Sequence, residues 1–114
     1  MLEQRQDRRR HLIYNLTIEN ATNNQVLGKL ADISHEGLML IGNAPTPVGE
    51  KLTLRIINNH NNSEPMLIEL QTQCMWSKQD VNPDYYISGF HAEHTDLDYQ
   101  AAVDELLMEI GFKD

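Results

Sequence analysis

Two short patterns in this chain carry side chains that could do chemistry. The first is Arg5-Gln6-Asp7-Arg8-Arg9, an Arg-x-x-x-Arg spacing, with Arg10 directly after it. Arginine presents a planar fork of donors that fits a phosphate or a base edge, where lysine presents only a point charge. The second is Asp32-Ile33-Ser34-His35-Glu36-Gly37, an Asp-x-Ser-x-x-Gly spacing. Asp and Ser side chains bond nearby backbone amides, and glycine permits a positive φ, so taken alone this pattern describes a common turn. The two patterns are separated by 22 residues, one β-hairpin's worth of chain.

Other constellations fall away. The sequence has no glycine-rich phosphate loop, no Walker lysine and no Gly-x-Ser-x-Gly elbow. Cys74 lies two before Trp76 in a predicted strand, so the two should share a face, and the thiol has no identifiable base. His91 and His94, with Glu93 and Asp96, have metal-ligand chemistry, but strand alternation sends the two histidines to opposite faces. Asn15-Leu16-Thr17 and Asn20-Ala21-Thr22 match the glycosylation sequon by letter, without a secretory signal. No catalytic residues, no metal and no cofactor are expected.

The 114 residues hold 9 Lys+Arg and 17 Asp+Glu, a formal net charge of −8. The distribution is uneven. Residues 1–10 carry Arg5, Arg8, Arg9 and Arg10 against Glu3 and Asp7, a local balance of +2, which leaves −10 on the remaining 104 residues. Exposed charges feel each other within a Debye length of about 8 Å at physiological ionic strength, so an anion at the arm meets its arginines rather than the total. The acidic remainder and an aromatic content of 6% are poor material for a single-stranded nucleic-acid groove. No apolar run exceeds four residues (Leu38 to Ile41), so no membrane span is expected. No apolar stretch of about 7–15 residues follows the charged N-terminus, so no signal peptide and a cytoplasmic location are expected. A single cysteine excludes an internal disulfide framework. Length and the 40% apolar content describe one globular domain over residues 1–114.

The elements that must position the two patterns follow from periodicity. Leu12, Tyr14, Leu16 and Ile18 alternate with His11, Asn15 and Thr17, a half-buried strand over 11–19 whose pattern Ile13 breaks. Asn20 to Gln25 is turn material, and Asn23-Asn24 tolerate left-handed backbone. Further strands are predicted at 26–33, at 38–41 (stopped by Gly42-Asn43-Ala44-Pro45), and around Leu52, Leu54 and Ile56. A polar loop over 58–65 precedes strands at 66–76 and 85–92. Tyr99, Ala102, Val103, Leu106, Leu107 and Ile110 then fall on one helical face over 96–111. Asp96 and Asp98 suit its N-terminal cap, and Gly111 its end. The fold class is therefore mainly β: a six-stranded antiparallel barrel over 11–92. A C-terminal α-helix should lie over an open end or edge, and a flexible arm over 1–10 is free to fold across the barrel surface.

In combination, the two patterns and the order of elements resemble the PilZ family, bacterial receptors for the second messenger cyclic di-GMP, whose fold is a split barrel. The resemblance runs over nearly the whole chain. It includes the Arg-x-x-x-Arg arm, the Asp32 to Gly37 turn and the apolar strand after it, the strand tryptophan Trp76, the Gly89-Phe90 strand, and the Asp96-Leu97-Asp98 segment before the closing helix. It implies a non-enzymatic receptor or adaptor with cyclic di-GMP gripped by Arg5, Arg9, Asp32, Ser34 and Gly37. Closure of the arm would alter contact with an effector protein. In such a site arginine can fork onto guanine, pair with phosphate and stack on a base, and Asp32 can accept from a guanine's N–H donors. Gln4 and Arg8 are possible secondary contacts; many family members have arginine where Gln4 stands, a junction that influences whether one ligand or an intercalated pair binds. Trp76 has two readings, ligand-facing or barrel core. Two other functions stay open beside this one: a protein adaptor of the same fold acting without ligand, and a single-stranded nucleic-acid-binding small barrel.

Overall fold

A computed structural model describes residues 16–58 and 66–109. The expected arm, with Gln4, Arg5, Arg8 and Arg9, lies outside the described residues, as do the start of the first predicted strand and most of the 58–65 loop. The described residues form β1 (Leu16–Asn20), β2 (Gln25–Ser34), β3 (Gly37–Gly42), β4 (Lys51–Asn58), β5 (Met66–Gln79), β6 (Tyr86–Ala92) and α1 (Leu97–Glu109). All strand pairs are antiparallel. In the order β1-β2-β3-β6-β5-β4 they close into a barrel, as the succession of short strands predicts.

Local chemistry sets the joints. Asn24 takes a φ of 64° in the β1–β2 turn, while Asn20 and Asn23 accept from the Thr22 and Gln25 amides through their side-chain oxygens. Inward positions of the strands supply the core: Ile18, Leu54 and Ile56 are completely buried, with Leu16, Leu30, Ile33, Leu38 and Leu40 around them. Two buried hydroxyls are satisfied internally, Thr72 donating to the Leu52 carbonyl at 2.9 Å and Ser88 sharing a 2.8 Å bond with Ser77. Tyr99, Val103 and Leu106 of α1 join the same core, which is the face that the helical spacing marks. Asp96 caps α1 by accepting from the Tyr99 amide at 2.9 Å.

Closing a barrel from short strands requires local bends, and β-bulges provide them. Two of these bulges aim side chains at the outer wall. Between Leu30 and Asp32 the β2–β3 register skips Ala31, and between Cys74 and Trp76 the β5–β6 register skips Met75. Each extra residue reverses the faces of the side chains beyond it.

Candidate functional site

The β2 bulge decides where Asp32 points. In an unbroken strand Asp32 would share a face with Leu30, which is buried in the core. With Ala31 as the extra residue, Leu30 and Ile33 both turn inward while Asp32 and Ser34 turn outward. The β5 bulge does the same for Trp76. The expectation that Cys74 and Trp76 share a face is corrected: Cys74 is 1% exposed in the core, whereas Met75 and Trp76 both stand outside at 53% and 36% exposure. The physical reason is the one-residue register slip, and the run of three apolar residues Cys74-Met75-Trp76, which breaks alternation, is the trace it leaves in the sequence. Trp76 is therefore on the outer wall and the barrel-core reading of it falls.

These reoriented side chains frame one open depression of about 280 Å³ that crosses β2, β3, β6 and β5. Asp32, Ser34, Glu36 and Gly37 contribute from the turn side, and Met75 and Trp76 from the bulge side. Two glycines open its middle. At Gly37 a Cβ would overlap the Phe90 carbonyl and sit 3.1 Å from the His91 Cα, so β3 can approach β6 only without a side chain there. Its φ is not in the left-handed region, where the described glycines with positive φ are Gly28 and Gly49. Close approach, rather than the sharp turn expected from the sequence, is what demands glycine at 37. At Gly89 a Cβ would land on the Trp76 indole, so the indole lies across the bare backbone of β6.

The turn is braced from three directions. The Ser34 hydroxyl accepts from the Glu36 amide at 3.1 Å, and the Ala92 amide donates to the Glu36 carbonyl at 2.8 Å. From α1, the Tyr99 hydroxyl donates to the Ser34 carbonyl at 2.9 Å, and burial pushes the Tyr99 pKa up to about 12. His35 Nε2 meets Asp104 Oδ1 at 2.8 Å. Asp32 Oδ1 accepts from the Ile33 amide at 2.9 Å. The helix contacts were invisible in the sequence, because Tyr99 reads there only as an apolar-face residue and His35 as a variable turn position.

Among the described residues the lining of the depression holds two carboxylates, Asp32 and Glu36, and neither lysine nor arginine. Lys78 Nζ sits 5.6 Å from the centre of the Trp76 ring. His91 lies in β6 and His94 beyond its end, and the described residues contain no group of three His, Cys, Asp or Glu side chains placed to hold a metal ion. None of the described helices is long and apolar enough to cross a membrane. The described lining offers acceptors for donor-rich edges and an indole for a flat face.

Residues 3–109 match the PilZ domain family, and this chain belongs to it. No curated protein matches the sequence. Among solved structures, the inhibitor of motility MotI/DgrA of Bacillus subtilis is similar at 15% identity and a TM-score of 0.59, over 83% of this chain. MrkH of K. pneumonia in its apo state is similar at 15% identity and a TM-score of 0.60, over 84%. The chain spans 46% of the length of each of these two. The PilZ domain of YcgR from Escherichia coli, solved with c-di-GMP, aligns at 12% identity and a TM-score of 0.60, over 84% of this chain and 80% of that one. At these identities the likeness concerns the fold.

Proposed function

We propose that this PilZ domain is a receptor for cyclic di-GMP. The observation that carries the reading is the pair of bulges that turns Asp32 and Trp76 outward onto one depression, beside the glycine-opened backbone of Gly37. Family membership gives the ligand class, since the related PilZ domain of YcgR is solved with c-di-GMP. The chemistry agrees residue by residue. Asp32 is an acceptor for guanine N1–H and N2–H, Ser34 holds the turn or donates to phosphate, and Trp76 offers a π-face to a base.

The described residues form only part of such a site, and the arm is the segment with the chemistry to add to it. Pockets that enclose small ligands measure roughly 300–1,000 Å³, and an open 280 Å³ surface covers only part of a dinucleotide. Its two carboxylates oppose a dianion. Arg5 and Arg9, four residues apart on the arm, would add a further wall and positive charge, with Arg8 and Gln4 beside them. Binding in this scheme is coupled to ordering of residues 3–10, and the closed arm alters contact with an effector protein. Isothermal titration with cyclic di-GMP should give saturable heat, abolished in Arg5→Ala and in Arg9→Ala, while amide NMR follows residues 3–10. Absence of heat from folded protein would overturn the receptor reading, and binding without shifts in residues 3–10 would overturn arm closure.

A further inference from the structure

We infer that the outer face of α1 is the docking surface for the effector, and that the docking segment is basic and amphipathic. The inference rests on the receptor reading for the existence of an effector, and on the helix itself for the rest. Its inner face is occupied by the core through Tyr99, Val103 and Leu106. On the opposite side Leu97 and Met108 are 78% and 74% exposed. Eleven residues apart, they lie within about 20° of each other around the axis and about 16 Å apart along it. Exposed Ala101 and Asp104 fall between them on the same stripe. One exposed apolar residue is ordinary, but here both ends of a three-turn stripe are apolar where a water-facing face would be polar.

Charge selects the occupant. From Gln79 to Phe112 the sequence has no lysine or arginine, and α1 with its leading turn carries Glu93, Asp96, Asp98, Asp104, Glu105 and Glu109. Glu93 pairs with Lys51 at 3.5 Å and Asp104 with His35, while Asp98 and Glu105 line one edge of the apolar stripe, about 80–100° round the axis from Leu97. The last turn of α1 contains no basic residue, although a cation there would favour the helix dipole. A helix shaped only for its own stability would place cations in that turn and polar groups at 97 and 108. The acidic rim repels a second copy of the same face, an anionic bilayer and nucleic acid, and it complements a segment that alternates Leu or Met with Lys or Arg. The His35–Asp104 contact puts the middle of this stripe in direct touch with the Asp32–Gly37 turn, which gives the ligand a route to the docking face.

The test uses the full chain and a synthetic 15-residue helical peptide of leucine and lysine, with a control of equal charge in which serine replaces leucine. Amide NMR should map the leucine–lysine peptide to Leu97, Ala101, Asp104 and Met108. Its affinity should fall about tenfold in Leu97→Ser/Met108→Ser and stay unchanged in Val81→Ser, an exposed apolar site on the β5–β6 turn. Equal binding of the two peptides, or shifts that map elsewhere, would overturn the inference. Self-association abolished by Leu97→Ser/Met108→Ser, or binding of the chain to phosphatidylserine vesicles through this face, would overturn the choice of occupant. Cyclic di-GMP titration of Leu97→Ser/Met108→Ser separates the two ideas: retained heat with lost peptide docking leaves both standing, and absent heat in the wild type with intact docking removes the receptor reading alone.

Discussion

Replacing Tyr99 by phenylalanine isolates one hydroxyl that joins α1 to the turn bearing Asp32 and Ser34. That hydroxyl is buried and donates to the Ser34 carbonyl at 2.9 Å. Its removal costs about 1 kcal/mol at neutral pH, the net value of one such bond. The wild type carries a second cost at high pH that the variant does not. Tyr99 ionises at about 12 in the folded protein, and a tyrosine in the unfolded chain at about 10. A raised folded-state pKa gives stability that is complete below pH 10 and is lost as pH rises through 10 to 12. Linkage puts the loss at about 1.4 kcal/mol at pH 11 and about 2.3 kcal/mol at pH 12. The other tyrosines ionise in both proteins and cancel in the difference. Urea unfolding followed by far-UV circular dichroism, from pH 8 to pH 11.5, should therefore show wild type above Tyr99→Phe at pH 8 and the two curves crossing between pH 10 and 11. A difference that stays constant across this range would refute the buried, donating hydroxyl and with it the brace between helix and turn. If the turn depends on that brace for its ligand-ready shape, cyclic di-GMP affinity in Tyr99→Phe falls by up to about fivefold, the same 1 kcal/mol.

The glycines and the cysteine give sharper local tests. Gly37→Ala drives a Cβ into the Phe90 carbonyl, a backbone obstacle, and should cost about 2–4 kcal/mol in urea unfolding while weakening cyclic di-GMP binding. Gly89→Ala meets the Trp76 indole first, a side chain that can swing aside, so its stability cost should stay below about 1.5 kcal/mol. Because Trp76 is the one tryptophan, its emission maximum should nevertheless move, and an unchanged spectrum would contradict the ring's position over β6. Burial pushes the Cys74 thiol up, so iodoacetamide at pH 8 should modify it about 100-fold more slowly in buffer than in urea; equal rates by mass spectrometry would place the thiol outside the core.

The sequence is legible wherever one local period governs. Leu52, Leu54 and Ile56 alternate and lie in β4, with Leu54 and Ile56 fully buried. Tyr99, Val103 and Leu106 recur at helical spacing and are the core face of α1. Asn24 takes its left-handed conformation because its short polar side chain tolerates it. The site is harder to read for a matching reason: it is made where periods break. A bulge moves every later side chain to the opposite face, and which residue bulges is set by pairing with the neighbouring strand, not by a period within its own. So Asp32 and Ser34 are recognisable by type, but their outward aim depends on Ala31 and β3. Gly37 is recognisable as glycine, but the obstacle that requires it is the Phe90 carbonyl, 53 residues on. The His35–Asp104 contact joins residues 69 apart with no pattern between them.

The division of charge between the first ten residues and the rest acquires a mechanical meaning from this geometry. A phosphate-bearing ligand approaching this surface meets Asp32 and Glu36, and among the described residues the lining includes neither lysine nor arginine. Within a Debye length of about 8 Å a carboxylate disfavours a phosphate that arrives without a cation beside it. For the proposed dinucleotide, a site with arginines built into its wall would attract any polyanion, open or closed. With the cations on an arm instead, attraction and enclosure come together, and a ligand lacking guanine edges for Asp32 gains the arginines without escaping the carboxylate. Asp32 then contributes selectivity twice, by accepting from the right base and by repelling whatever brings only phosphate. On this view Asp32→Asn should loosen discrimination against the corresponding cyclic dinucleotide of adenine, which lacks the guanine N1–H and N2–H donors, more than it weakens cyclic di-GMP itself. Competition titrations would read that ratio, and an unchanged ratio would mean that the carboxylate only shapes the turn.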